Sequence, residues 1–399
     1  MTETSQARCA SPVSRRAQAL PSFIAMDVLE TAVAMERGGA HIVHLEVGEP
    51  DFDTPEPVRR AAAEALERGE THYTHSLGIH ELRAEIAAHY RARYGVDVDP
   101  ERVIVTSGSS PALFLTFAAL LDPGDQVVVT DPCYACYPPI IEFCGGEPVR
   151  VRVREEDAFQ FVPEDLTGPV GPRTKAVLVN SPANPTGTLI DRDRLAEVAR
   201  RAEAAGAYVV SDEIYHGLVY EGREHSILEF TDRAFVINGF SKLYAMTGWR
   251  LGYVIAPPEF VRPMQKLQQN FFISANAFVQ RAGIAALTQT DSHVAEMLAT
   301  YDRRRRYMIE RLEAMGFRFR CHPTGAFYVF VNVRHLTDDV YRFAFDILEK
   351  ARVGCTPGVD FGPGGEGYIR FTYANSLENI REGMDRLEAY LAERSAEAR

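Results

Sequence analysis

The chain has 399 residues, 46% hydrophobic and 25% charged, the composition of a folded water-soluble protein long enough for two domains. Its net charge of -12, from 55 acidic against 43 basic residues, argues against nucleic acid or anionic membranes as partners, since both need a basic face. Six cysteines in so long a chain are not a disulfide framework, and no apolar run approaches the ~18 residues that span a bilayer.

In chain order, residues 1–12 are polar, lack the apolar stretch of a signal peptide, and read as a frayed tail on a cytoplasmic protein. Apolar Ile24, Val28, Val33 and Met35 predict a helix over residues 17–37, closed by Gly38-Gly39. A short strand over 42–45 runs into the turn-rich Val47-Gly48-Glu49-Pro50-Asp51. From residue 56 to 290 the pattern alternates. Helices fit 58–68, 79–94 and 192–205, the last with Asp191 as N-cap and Gly206 behind it. Apolar runs at 103–106, 126–130, 176–180, 207–211, 235–238 and 252–255 read as buried strands. Strands apolar throughout and separated by helices imply an α/β fold with a largely parallel sheet covered on both faces, which binds ligands at the strands' carboxyl ends. From 291 to 399, helices over 292–315, 338–351 and 377–394 alternate with strands over 326–332, 353–356 and 368–371. This α+β unit is expected to pack with the arm of residues 1–55 as a smaller second domain.

Polar residues gather where the predicted strands end. Ser107-Gly108-Ser109-Ser110 precedes a helix opening at Pro111, and free N–H groups with hydroxyls at a helix start make an anion site, although a capping serine is commonplace. Ser181-Pro182-Ala183-Asn184-Pro185-Thr186-Gly187 is a turn that can present the Asn184 amide at the sheet edge. Asp212 ends an apolar strand, where an acid needs either a turn to cap or a ligand cation to meet. Lys242 lies among aromatic and apolar neighbours, where a lowered amine pKa suits Schiff-base chemistry, and Arg250 follows eight residues later between small residues. Cys133 and Cys136 have zinc-like or redox-like spacing but no second pair, so they read as small buried side chains and no metal is expected.

The order of these pieces is more specific than any one. With Gly48-Glu49-Pro50-Asp51-Phe52, Asn184-Pro185-Thr186-Gly187, Asp212-Glu213-Ile214-Tyr215, the stretch from Ser241-Lys242 to Arg250, Pro323-Thr324-Gly325-Ala326-Phe327 and Tyr368-Ile369-Arg370-Phe371, the chain resembles the class I aminotransferases of fold type I from about Ser14 to Leu391. The resemblance implies pyridoxal 5'-phosphate as cofactor and a mixed, largely parallel sheet sandwiched by helices in the large domain. Lys242 would hold the cofactor as a Schiff base. Asp212 would keep its pyridine nitrogen protonated, and Tyr215 and Asn184 would bond its ring oxygen. Gly108, Ser109, Ser110, Ser241 and Arg250 would form the phosphate and cofactor cradle, and Tyr134 would stack on the ring. Arg370 would clamp the substrate α-carboxylate, helped by Gly48 and Asn184. Tyr73 would reach the phosphate of the neighbouring subunit, making a homodimer the active unit. Gly239 stands where many members carry a phosphate-binding Ser, and Tyr134 where some carry Trp; neither removes the chemistry.

These roles imply ping-pong transfer of an amino group between an L-amino acid and a 2-oxo acid, with Lys242 moving the Cα proton. A β-lyase on the same residues is the alternative, because the sequence says little about which Cα bond breaks. A regulator without catalysis would be expected to carry a basic DNA-binding domain, and a scaffold would not need Lys242, Asp212 and Arg370 together. Ile24, Met26, Phe271 and Phe272 are candidates for the substrate mouth, with plain core positions as the other reading. No second arginine for a distal carboxylate stands out.

Overall fold

The computed structural model describes residues 12–397. The tail expected at the amino terminus falls outside them apart from Pro12, as does Cys9. Two helices, α1 (Arg15–Ala19) and α2 (Ile24–Arg37), replace the single one expected over 17–37. Pro21 explains the break, because it has no N–H to donate and drives Leu20 out of the α region, to φ -65 and ψ 123.

The chain continues through β1 (Val43–His44), α3 (Glu56–Glu67), α4 (His80–Tyr94), β2 (Val103–Thr106), α5 (Ser109–Leu120), β3 (Gln126–Asp131), α6 (Tyr137–Phe143) and β4 (Glu147–Arg152). Next come β5 (Thr174–Asn180), α7 (Arg192–Ala204), β6 (Tyr208–Asp212), β7 (Ala234–Gly239), β8 (Gly252–Ile255), α8 (Pro258–Phe271), α9 (Ala277–Gln289) and α10 (Asp291–Ala314). The last elements are β9 (Tyr328–Asn332), α11 (Val340–Asp346), β10 (Val353–Gly354), β11 (Thr356–Pro357), β12 (Tyr368–Thr372) and α12 (Leu377–Glu397).

Seven strands form one sheet in the order β2-β8-β7-β6-β5-β3-β4. Neighbours are parallel except at β8, which runs against both β2 and β7. Alternation along each strand explains why both faces are covered. Ile104, Val127, Val129, Leu178, Val210 and Ile237 join one hydrophobic cluster, which α5, α6 and α8 close with Phe117, Ile141 and Met264. Val103, Val105, Val128, Val177, Val209 and Val236 join the other, closed by α4, α7 and α9 through Ile86, Val198 and Ala282. At roughly 1.5–3 kcal/mol for each buried aliphatic side chain, this two-sided burial is the main force holding the sheet.

A second sheet, β11-β12-β9, is antiparallel, and β1 of the arm pairs in parallel with β10. The strand expected over 353–356 is therefore two strands in two sheets, divided at Cys355. Ala326 at φ 54 delays β9 to Tyr328. The helix expected over 338–351 is α-helical to Asp346 and closes in a π turn, Ile347–Ala351. Elements β4, α6, α8 and α9 have no counterpart in the sequence reading. Strand β4 lies at the sheet edge and reads Glu-Pro-Val-Arg-Val-Arg, so it lacks a continuous apolar run.

The registers align the business ends of the large sheet. Asn180 pairs with Asp212, and Gly252, where β8 begins, lies opposite both Thr106 and Gly239. The carboxyl ends of β2, β5, β6 and β7 thus share one edge with the start of β8. Among the described residues no helix is long and apolar enough to cross a membrane, and no group of three or more His, Cys, Asp or Glu could hold a metal ion.

Candidate active site

A cavity of about 400 Å³ opens at that edge. One wall is the start of α5. Gly108 precedes it at φ 104, a backbone conformation suited to glycine, and a Cβ there would sit 2.6 Å from Nη2 of Arg250. Gly252 packs as closely, since its Cβ would meet the Gly108 carbonyl carbon at 2.6 Å. These two glycines let the guanidinium and the helix start converge. The first-turn N–H groups, beginning at Ser109 and Ser110, have no intrahelical acceptor, so they and Arg250 make a place for a dianion. Arg250 Nη1 donates to the Thr247 carbonyl at 3.0 Å, and among the described residues no carboxylate pairs with it.

Asp212 closes β6 and is buried. The Tyr137 hydroxyl donates to its Oδ2 at 2.6 Å and the Ile214 N–H to its Oδ1 at 3.1 Å. Burial pushes its pKa from 3.8 up to about 6, against the pull of Tyr137, Ile214 and Lys242. Asn180, at the end of β5, donates to the Asp212 carbonyl at 3.0 Å and accepts the Asn184 N–H at 2.8 Å, which ties the Asn-Pro turn to β6. Lys242 follows β7, and its Nζ donates to the Gly48 carbonyl at 2.6 Å. Burial brings the amine from 10.5 down to about 8; Glu49 and Asp212 oppose the fall, and Arg370 and Arg250 add to it. The cavity thus holds an acid reluctant to lose its proton and an amine ready to lose one.

Arg370, on β12, lies between the rings of Tyr328 and Phe361, at 4.5 and 4.9 Å. Its Nη1 donates to Asn184 Oδ1 at 2.9 Å and its Nη2 to Thr356 Oγ1 at 3.1 Å and to the Glu46 carbonyl, while Nε is buried without an acceptor. The hydroxyls of Tyr215 and Tyr328 are 2.7 Å apart. Gly48 is required beside them, because a Cβ would stand 1.9 Å from the Tyr328 oxygen. Tyr134 meets Tyr137 edge-on at 5.2 Å and Phe23 edge-on at 6.1 Å.

The structure brings together the site residues expected from the sequence, with two qualifications. Gly108 stands behind the lining, against Arg250, and Tyr73 is 82% exposed and outside the cavity of its own chain. Of the expected mouth residues, Met26 lines the cavity. Ile24, Phe271 and Phe272 do not, and the two phenylalanines pack edge-on to Phe114 at 6.1 and 6.4 Å. Sequence reasoning passed over Phe23, Tyr137, Asn180 and Tyr328. Asn180 had a usable signal, a polar residue ending an apolar strand, but the tyrosines carried no local mark.

A sequence model of the family described as "Aminotransferase class I and II" matches residues 40–387. The chain is 42% identical over 383 residues to the (5-formylfuran-3-yl)methyl phosphate transaminase of Methanocaldococcus jannaschii, covering 95% of this chain and 99% of that one. It is 40% identical to the aspartate/prephenate aminotransferase of Thermus thermophilus, covering 95% and 98%. Aspartate aminotransferase from Thermus thermophilus, solved with maleate, superimposes with a TM-score of 0.91 at 40% identity, covering 94% and 99%.

Proposed function

This chain belongs to the class I and II aminotransferases, pyridoxal-phosphate enzymes of fold type I, and from that premise we propose how its residues divide the work of moving an amino group between an L-amino acid and a 2-oxo acid. The observation that carries the assignment is that one cavity holds a buried acid, Asp212, a half-buried amine of lowered pKa, Lys242, and an arginine, Arg370, whose Nε has no acceptor. None of the relatives named above favours the eliminating alternative.

The residues fit the cofactor. The cradle of Gly108, Ser109, Ser110 and Arg250 suits its phosphate, because the missing side chain at Gly108 lets the Arg250 guanidinium lie against the helix start, where a Cβ would collide with it. Asp212 has no ion-pair partner among the described residues and suits a protonated ring nitrogen. Tyr134 would cover a ring face, and Asn184 and Tyr215 would bond its oxygen; all three line the cavity, with Ser241 as a buried hydroxyl beside them. Lys242 is the amine that would tether the cofactor through its carbonyl group. When bound, pyridoxal phosphate supplies an electron-accepting ring over which negative charge from the substrate's Cα can spread.

The chain's own steps follow. Arg370 and the Gly48 backbone seat the α-carboxylate, with Asn184 orienting the guanidinium. At a pKa of about 8, much of Lys242 is neutral in mildly alkaline solution, so Nζ takes the Cα proton and returns it. Asp212, as a carboxylate, would keep the ring nitrogen protonated, so that the ring can take up the negative charge. The donor side chain meets Phe23, Met26, Leu29 and Leu113, and the acidic Glu49 stands in the same lining. This supports an apolar or aromatic donor over one with a second carboxylate.

Tyr73, exposed in one chain, would reach the phosphate bound by a neighbouring subunit, which makes a homodimer the proposed active unit. The parallel pairing of β1 with β10 supports a division into a large domain of residues 56–290 and a small one built from 1–55 and 291–399. The cytoplasm is the expected compartment. The test is direct. Purified protein given pyridoxal phosphate gains a visible absorption band, and borohydride fixes the adduct on Lys242. A colourless protein, or an adduct on another lysine, overturns the assignment. With 2-oxoglutarate and pyruvate as acceptors, leucine or phenylalanine exceeds aspartate at least tenfold in kcat/KM, and the reverse order overturns the side-chain reading.

A further inference from the structure

The arm reaches the cavity without a cap of its own. Phe23 holds the N-cap position of α2, and its side chain cannot accept the helix's free N–H groups. The acceptor comes from 336 positions away: Asp360 takes the Ile24 N–H on Oδ1 at 2.8 Å, and on Oδ2 the Ala25 N–H at 3.2 Å. A carboxylate there satisfies two orphaned donors and meets the positive end of the helix dipole. The residues held by this contact matter to the site. Phe23, Met26 and Leu29 line the cavity, and Phe23 stands edge-on to Tyr134 at 85°. Tyr134 in turn meets Tyr137, the partner of Asp212.

Asp360 stands on a braced loop. Gly364 donates its N–H to Asp131 Oδ1 at 2.7 Å, and the Cys133 N–H donates to the Phe361 carbonyl at 2.9 Å. Gly358 and Gly365 press together so closely that a Cβ on Gly365 would lie 1.8 Å from the Gly358 oxygen. The Phe361 ring lies against the Arg370 guanidinium. One short loop therefore joins the end of β3, the carboxylate-binding arginine and the start of α2.

We propose that Asp360 is a positioning residue for donor side-chain recognition: by capping α2 it holds Phe23, Met26 and Leu29 as the wall against which an apolar side chain packs. The inference rests on the cavity being the transamination site. It predicts an effect graded by the donor. In the holoenzyme, Asp360→Ala raises KM for leucine or phenylalanine roughly tenfold, the range of a lost helix cap. KM for alanine, whose methyl group stops short of the wall, rises less than threefold. For all three donors kcat stays within threefold, and the cofactor band is unchanged. Asp360→Asn keeps an acceptor and restores most of the leucine KM. Ile24→Pro tests the same contact from the other side, since it removes one donated N–H at a helix position that tolerates proline, and it raises the leucine KM severalfold. If Asp360→Ala does not fold, Ile24→Pro decides. Equal KM changes for alanine and leucine, or none, overturn the proposal. A parent protein that binds no cofactor defeats the site assignment instead, so the two failures are distinguishable.

Discussion

Replacing Asp212 with Asn removes a charge and keeps the side chain's shape, so it isolates what the carboxylate does. Burial moves this group from 3.8 to about 6, a penalty of about 3 kcal/mol on its charged form in the cofactor-free protein. The folded chain holds the proton more tightly than the unfolded chain. The stability that comes with the neutral group is therefore complete below pH ~4 and is lost as the pH rises through about 6. Asp212→Asn escapes that loss, so the cofactor-free variant melts several degrees above the cofactor-free parent at pH 8 and gains nothing at pH 4. Activity moves the opposite way. A cation at the carboxylate offsets the penalty, and a preorganised charge of this kind is worth ~3–4 kcal/mol at the transition state, so kcat falls roughly 10²–10³-fold. The assay is steady-state transamination at saturating cofactor, with calorimetry of the cofactor-free proteins at both pH values. A fall below tenfold in kcat, or a cofactor-free variant that melts below its parent at pH 8, refutes the reasoning.

Three further outcomes follow from the same geometry. The neutral form of Lys242 is the reactive one and its pKa is lowered to about 8, so the rate of cofactor uptake climbs with pH and levels off above 8; a stopped-flow midpoint near 10 counts against the desolvated amine. Gly108→Ala forces a side chain into a left-handed conformation 2.6 Å from Arg250, so the cofactor Kd rises at least ~10-fold by fluorescence titration, and an unchanged Kd removes the phosphate cradle. Arg370→Lys loses the fork that grips a carboxylate, so donor KM rises by about 30–100-fold, equivalent to ~2–3 kcal/mol, while the cofactor band persists; a KM within threefold of the parent places the carboxylate elsewhere.

The polar edge of the sheet was legible because it breaks a pattern. An apolar strand that ends in Asp212, or an apolar stretch that contains Lys242, calls for an explanation, and the explanation is a ligand. The helices and strands of the large sheet were legible for the same reason, since each carries its own periodicity. Some elements lack it: β4 is an edge strand interleaved with arginines, and α1 is cut from α2 by a single proline; α8 carries the periodicity, with Phe260, Met264, Leu267 and Phe271 at helical spacing, and was still passed over. The walls of the site were harder still. Tyr137 is one of 17 tyrosines, and what separates it from the rest is a hydrogen bond to Asp212, 75 positions away. Phe23 and Leu29 are ordinary apolar residues at the start of an amphipathic helix, and their place in the cavity depends on Asp360, which nothing local connects to them. Side-chain specificity is written in such long-range contacts, whereas the chemistry common to all donors is written at strand ends. Relatives about 40% identical to this chain accordingly carry names for substrates as unlike as aspartate and a formylfuran phosphate.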